Sequence, residues 1–260
     1  MLGAIVGDII GSPYEFSRVA DKDFELFRQD SHYTDDTLLT LMTARGLQTG
    51  ESYALLYRKA FQAEPHQSWG LRFMKWCESP DLSPYNSLGN GSAMRVSPVA
   101  WYFDDERQVL EEATRTAEVT HNHPEGIKGA RATALAIFLA RRGADRDTIR
   151  QRIGQDFGYD LDRSMQTLYE TYHYNETCQG TIPEALICFL ASTDFEDAIR
   201  NAVAINGDAD TLAAITGSIA EALYGGVPAK LENEARRRLP IPFIDQLNAF
   251  QDAAAGVREP

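Results

Sequence analysis

An all-α fold, a compact orthogonal helical bundle, is what this sequence predicts, and three observations predict it. Alternating apolar–polar runs of the strand type are scarce along the 260 residues. Long segments are instead built of strong helix formers or repeat their apolar residues at helical spacing. Glycines, prolines and acid- or hydroxyl-bearing residues fall where helices should stop and start.

The elements follow in order. Gly3 to Gly11 (GAIVGDIIG) reads as a helix with small residues along one face, and Pro13 should break it and leave Glu15 on a loop. Leu38 to Met42 is an apolar, helix-forming run opened by Thr34-Asp35-Asp36-Thr37. Glu106 to Thr120 places Val109, Leu110, Ala113, Ala117 and Val119 roughly at helical spacing. Ala130 to Arg142 is apolar on more than one face, as a well-buried helix is, and Gly143 should end it. Pro183 suits the first turn of a helix running through Ala191. Thr193-Asp194-Phe195-Glu196 matches a capping box that opens a helix through Ile205. A further helix runs from Thr211 to about Tyr224 and stops at Gly225-Gly226, and the last covers Ile244 to Ala254. The small-residue faces of the first helix and of Ala214 to Ala220 allow those two helices to cross closely. No linker or low-complexity stretch divides the chain, so residues 1–260 should form one domain.

Composition narrows the function. Thirty-eight acidic residues against 25 lysines and arginines give a net charge of −13, which disfavours nucleic acid and anionic membranes. A phosphate-bearing small ligand stays compatible, because bound cations reverse the local field. The three cysteines, Cys77, Cys178 and Cys188, form no C-x-x-C pair and read as reduced thiols of a cytoplasmic protein. The first residues lack a basic stretch and Asp8 interrupts their apolar run, so they do not read as a signal peptide. No apolar run is long enough to span a bilayer.

Two acidic clusters carry the chemistry. Thr34-Asp35-Asp36-Thr37 and Asp208-Ala209-Asp210-Thr211 each offer two carboxylates and a hydroxyl just before an apolar helical run. Carboxylate and hydroxyl oxygens are hard ligands suited to Mg²⁺ or Mn²⁺. Brought together, four carboxylates would repel unless cations lay between them, which points to a two-metal site. Acids at helix starts also serve as ordinary caps, and each cluster alone reads that way. Asp208 does not open an EF-hand, which needs Gly at 213 and Glu at 219 where the chain has Ala213 and Ile219. Nor is it a D-x-D-x-T phosphatase motif, because Leu212 stands where the threonine belongs. Glu15 can orient or deprotonate a water beside such metals, or be a solvated loop acid. Gly89-Asn90-Gly91-Ser92-Ala93-Met94-Arg95 is a donor-rich loop that can cradle phosphate oxygens, or a plain turn. His121 and His123 belong to a polar loop at a ligand or to a helix cap, whereas His32, His66 and His173 look incidental.

Taken together, these segments resemble the ADP-ribosylglycohydrolase family. GDIIGSPYE (7–15), TDDT (34–37), GNGSAMR (89–95), THNHPEGIKGA (120–130) and GDADT (207–211) occur in the family's order and span nearly the whole chain. The resemblance implies an all-α fold with a dinuclear Mg²⁺ or Mn²⁺ centre at the base of a cleft. It implies that Thr34, Asp35 and Asp36 form one ligand set and Asp208, Asp210 and Thr211 the other, with Glu15, Asp35 and Asp36 at the catalytic centre. It also implies that Asn90, Gly91, Ser92 and Met94 line the diphosphate and proximal ribose, with His121 and His123 close by. The implied reaction is hydrolysis at C1″ of the distal ribose in an ADP-ribosylated protein or small molecule, releasing ADP-ribose. Ala209 and Asn206 depart from residues common in the family, and Ser87 stands where some arginine-specific relatives carry an acid. The acceptor is therefore open among arginine, serine, an O-acetyl group and a nucleobase. Two other readings fit the residues: a dimetal phosphoesterase acting on a nucleotide, and a non-catalytic ADP-ribose-binding module.

Overall fold

In the computed structural model, which describes residues 1–256, the chain folds into fifteen α-helices and one 3-10 turn. Strand pairing among the described residues is limited to an isolated bridge between Gly89 and Thr177. The helices are α1 (Leu2–Gly11), α2 (Asp35–Thr49), α3 (Tyr53–Ala63), α4 (Leu71–Glu78), α5 (Gly91–Met94), α6 (Ser97–Tyr102), α7 (Glu106–Glu118), α8 (Pro124–Arg141), α9 (Arg146–Phe157), α10 (Met165–Thr171), α11 (Cys178–Leu190), α12 (Phe195–Ala204), α13 (Ala209–Leu223), α14 (Ala229–Arg236) and α15 (Ile241–Gly256). The all-α class predicted from sequence is what the molecule shows.

The centre of the fold is the crossing of α1 and α13, the most extensive helix pair. Every residue of α1 is buried, which explains a helix that is apolar all round apart from Asp8. Glycine lets the two backbones touch: a Cβ on Gly7 would lie 2.1 Å from the Ala213 carbonyl oxygen, and one on Gly3 would lie 2.2 Å from that of Gly217. The close crossing read from the small-residue faces is thus present. Gly7→Ala should cost about 2–3 kcal/mol, because the overlap is with backbone and cannot be relieved by a rotamer change. Thermal unfolding should show a Tm lower by roughly 5–10 °C; an unchanged Tm would mean that α1 and α13 can separate freely.

Helix α8 runs beneath this crossing, buried from Ala132 to Ala140, and packs on α7, α11 and α13. A second apolar cluster gathers Tyr57, Phe61, Trp69, Phe73 and Trp76 around α2, α3 and α4. Tyr33, Met42 and Phe243 pack against both clusters and join them.

Several boundaries differ from the sequence expectation. Helix α11 begins at Cys178, capped by Thr177, whose side chain accepts from the Gly180 N–H, so Pro183 lies inside the helix and not in its first turn. Proline there forgoes one intrahelical hydrogen bond. The early start is held by tertiary contact, the Cys178 N–H donating to the Leu88 carbonyl. The cap of α12 is Asp194, whose carboxylate accepts from the Asp197 N–H, so the expected box from Thr193 is displaced by one residue. Helix α8 starts six residues before Ala130, at Pro124, and α15 starts three residues before Ile244, at Ile241. Gly143 and Gly225-Gly226 take positive φ just past their helices, as helix-ending glycines do. Pro13 sits in the 3-10 turn Ser12–Tyr14, and Glu15 caps its end.

Candidate metal centre and ligand cleft

The first acidic cluster is shaped by a residue that the sequence reading passed over. Thr34 caps α2, its Oγ1 accepting from the Asp36 N–H at 3.2 Å. Asp8 then grips the same turn from α1. Its carboxylate accepts from Thr34 N (3.0 Å), Thr34 Oγ1 (2.7 Å), Thr37 N (3.1 Å) and Thr37 Oγ1 (2.5 Å). With the helix capped by Thr34 and Asp8, the carboxylates of Asp35 and Asp36 are not consumed as caps and face the cleft. A lone acid in the run LGAIVGDIIG was the available signal for Asp8.

The second cluster opens α13. Asp208 stands at the N-cap position, yet its side chain makes no capping bond. Its Oδ2 accepts instead from Asn90 Nδ2 at 2.7 Å, and the same amide nitrogen donates to Thr181 Oγ1 at 3.1 Å. Thr211 Oγ1 donates to Asp36 Oδ2 at 3.3 Å, so residues 175 apart in sequence meet at one point. One carboxylate oxygen each from Glu15, Asp208 and Asp210 lie within 4.8 Å of one another. Asp36 Oδ1 is buried with no hydrogen-bond partner among the described residues.

Crowding and burial raise every one of these carboxyls. Asp35, Asp36 and Asp210 lie well above the usual carboxylate range, first through burial and then through neighbouring charges, chiefly Asp210 for the first two and Asp208 for the third. Burial, then the charge of Asp210, pushes Glu15 up to about 8. Burial brings Asp208 to about 6, against the hydrogen bonds with Asp210 and from Asn90. A set of convergent oxygen donors, one of them unpartnered, fits a hard divalent cation and offers nothing to a soft one. The sign of the pH effect follows. Groups raised in the folded state bind more protons there than when unfolded, so their stabilisation is present at low pH and is lost as pH rises through their folded values. In EDTA, thermal stability should therefore fall between roughly pH 4 and 8, the interval bounded by the ordinary carboxylate values and Glu15. Magnesium should flatten that slope; equal melting temperatures at pH 5 and 8 in EDTA would contradict the crowding.

The carboxylates floor a cleft of about 690 Å³. Asn90, Gly91, Met94 and His121 line it, together with Ser87. Three of the sequence-selected residues point elsewhere. Ser92 is fully buried and its hydroxyl donates to the Gly126 carbonyl at 2.7 Å. His123 caps α8, its Nδ1 accepting from the Glu125 N–H at 3.1 Å. Thr34 is buried against Asp8. Sequence reasoning missed the aromatic walls. Trp69, Phe73 and Tyr85 form one side, and the exposed Phe16 stacks on Tyr174 at the other, with ring centroids 6.2 Å apart. Tyr174 donates to Glu15 Oε1 at 3.3 Å and to Glu176 Oε1 at 2.9 Å. Residues 172–177 are irregular, and nothing in their sequence pattern marked them.

A family model described as ADP-ribosylglycohydrolase matches residues 1–258. The chain belongs to the ADP-ribosylglycohydrolase family. It is 24% identical to human ADP-ribosylhydrolase ARH3 over 307 residues, covering 86% of this chain and 84% of that protein. Its identity to the ADP-ribosylarginine hydrolase Tri1 of Pseudomonas putida (strain GB-1) is 25% over 305 residues, covering 96% and 80% respectively. A solved ADP-ribosylglycohydrolase-related protein complex shares the fold, with a TM-score of 0.73, 24% identity and 97% coverage of each chain. The ordered segments that resembled the ADP-ribosylglycohydrolases therefore led to the right family, and membership places the chain among hydrolases of ADP-ribosyl bonds. Among the described residues, no helix is long and apolar enough to cross a membrane. Cys77, Cys178 and Cys188 are buried free thiols.

Proposed function

We propose that this chain is a Mg²⁺- or Mn²⁺-dependent ADP-ribosylglycohydrolase that cleaves the C1″ bond of an ADP-ribosylated protein or small molecule and releases ADP-ribose. The observation that carries the reading is the convergence of Glu15, Asp208 and Asp210 within 4.8 Å, beside the unpartnered Asp36 Oδ1, on the floor of the cleft. Asp35 and Asp36 would hold one ion, on the turn that Thr34 braces through its bonds to Asp8 and the Asp36 N–H, and Asp208, Asp210 and Thr211 the other. Two bound cations would neutralise this acidic floor and supply Lewis-acid contacts to ribose hydroxyls and a water.

The protein's own part is positional. Asp8 and Asn90 fix the two clusters from behind, so that the ligand oxygens need little reorganisation. Asn90 and Gly91 line a cleft able to take a diphosphate, with the Asn90 N–H held by the Glu176 carbonyl. Glu15, held by Tyr174, would take a proton from the water that attacks C1″. Residues 1–260 act as one catalytic unit in the cytoplasm, without nucleic-acid or membrane partners.

The test is release of free ADP-ribose from ADP-ribosyl-arginine, ADP-ribosyl-serine and O-acetyl-ADP-ribose, offered in parallel. EDTA should lower the rate at least about 100-fold, and Mg²⁺ or Mn²⁺ should restore it. Release of inorganic phosphate instead would favour a phosphoesterase, and tight ADP-ribose binding with no turnover of any of the three would favour a binding module.

A further inference from the structure

Among the described residues of a protein whose net charge is −13, Arg95 is the largest fully buried side chain, and no carboxylate pairs with it. Its guanidinium lies over the Tyr57 ring, 4.3 Å from the centroid. Its NH2 group donates to the Thr116 carbonyl at 2.9 Å and to Thr120 Oγ1 at 2.8 Å. The Thr120 hydroxyl has one further neighbour, His121 Nδ1, at 2.8 Å.

These contacts determine where the histidine proton sits. A guanidinium can only donate, so Thr120 Oγ1 accepts from Arg95 and retains its own O–H. Thr120 is fully buried, and His121 Nδ1 is the one acceptor within reach of that hydrogen. Were Nδ1 protonated, the hydroxyl would face donors on both sides and leave a buried hydrogen unpaired. The O–H therefore donates to Nδ1, and a neutral ring must carry its hydrogen on Nε2. Burial first, then the charges of Arg95 and Arg72, keeps the imidazole neutral by holding its pKa well below the ordinary histidine value. The Tyr85 ring, 6.1 Å away, flanks it. Nε2 faces the loop on the cleft side, 3.2 Å from where a Gly91 Cβ would sit and 3.5 Å from that of Gly89. It has no hydrogen-bond partner among the described residues.

We propose that Arg95 and Thr120 are positioning residues that lock His121 in the neutral Nε2–H tautomer, so that its ring presents a hydrogen-bond donor to a ligand oxygen lying on the Gly89–Gly91 loop. The identity of that ligand rests on the ADP-ribosyl reading above; the tautomer does not. The experiment is long-range ¹H–¹⁵N spectroscopy of ¹⁵N-histidine-labelled full-length protein, with His121 assigned by its loss in His121→Gln. The expected spectrum shows an unprotonated Nδ1 and a protonated Nε2 that do not titrate from about pH 5 to 8. Thr120→Val should give a mixture of tautomers and weaken ADP-ribose binding about tenfold, the worth of one hydrogen bond. Thr120→Ser should restore both. A protonated Nδ1 or an imidazolium in the wild-type spectrum, which needs no variant to fold, would overturn the proposal, as would an unaltered tautomer in a folded Thr120→Val protein. A wild-type protein with the expected tautomer that binds no ADP-ribose would uphold the relay and overturn the ligand reading.

Discussion

Asp210→Ala is expected to reduce ADP-ribose release by at least about a thousandfold, because it removes several kcal/mol of charge stabilisation that depends on a correctly held cation. The same change should act on stability in the opposite direction. Asp210 is a leading source of the repulsion that raises Asp35, Asp36 and Glu15. In EDTA the variant should therefore melt higher than the wild type, and added Mg²⁺ should stabilise it less. Activity and melting temperature measured on one preparation read both effects. Wild-type turnover by a folded Asp210→Ala protein would remove the metal-site reading altogether, whereas lost turnover with a lower melting temperature in EDTA would mean that Asp210 is structural.

Asp8→Ala should destabilise the fold by about 4 kcal/mol. The variant strips the acceptor from two buried backbone N–H groups, those of Thr34 and Thr37, at about 1–3 kcal/mol each, and leaves a small void. Loss of the Asp8 desolvation and of the repulsion that its charge exerts on Asp35 and Asp36 offsets part of this. Since Asp8 sets the turn that carries Asp35 and Asp36, Mg²⁺ affinity should also fall roughly 10- to 100-fold. Denaturant unfolding with and without Mg²⁺ separates the two consequences. A variant that unfolds like the wild type and binds Mg²⁺ equally well would show that Thr34 and Thr37 hold the turn without help.

The pattern of this sequence set the helices and most of what they carry. Ala130 to Arg142 is apolar on several faces because α8 is buried on several faces, and the period of its residues already says so. The small residues of Gly3 to Gly11 and of Ala214 to Ala220 announced a close crossing, since only residues without bulk let two backbones meet. Hard-ligand acids at two helix starts were legible because helix N-termini attract and expose carboxylates. Boundaries were less so: Pro183 lies inside α11 because Leu88, ninety residues earlier in sequence, secures the helix start at Cys178.

What the sequence determined by itself was the class of fold, the family and the acidic clusters that meet in the cleft, all of which reside in local composition and in the order of short segments. Only the tertiary structure decided which side chains share a space. Thr34 and Ser92 carry suitable hydroxyls, yet one is turned to Asp8 and the other to Gly126. His123 caps its own helix while His121, two residues away, faces the cleft. Asp8 and Arg95 had no neighbour in sequence to explain them, and each gained its role from a turn more than twenty residues away, at Thr34 and at Thr120. The physical reason is that hydrogen bonding and burial are settled by proximity in space, which helix packing fixes and sequence spacing does not.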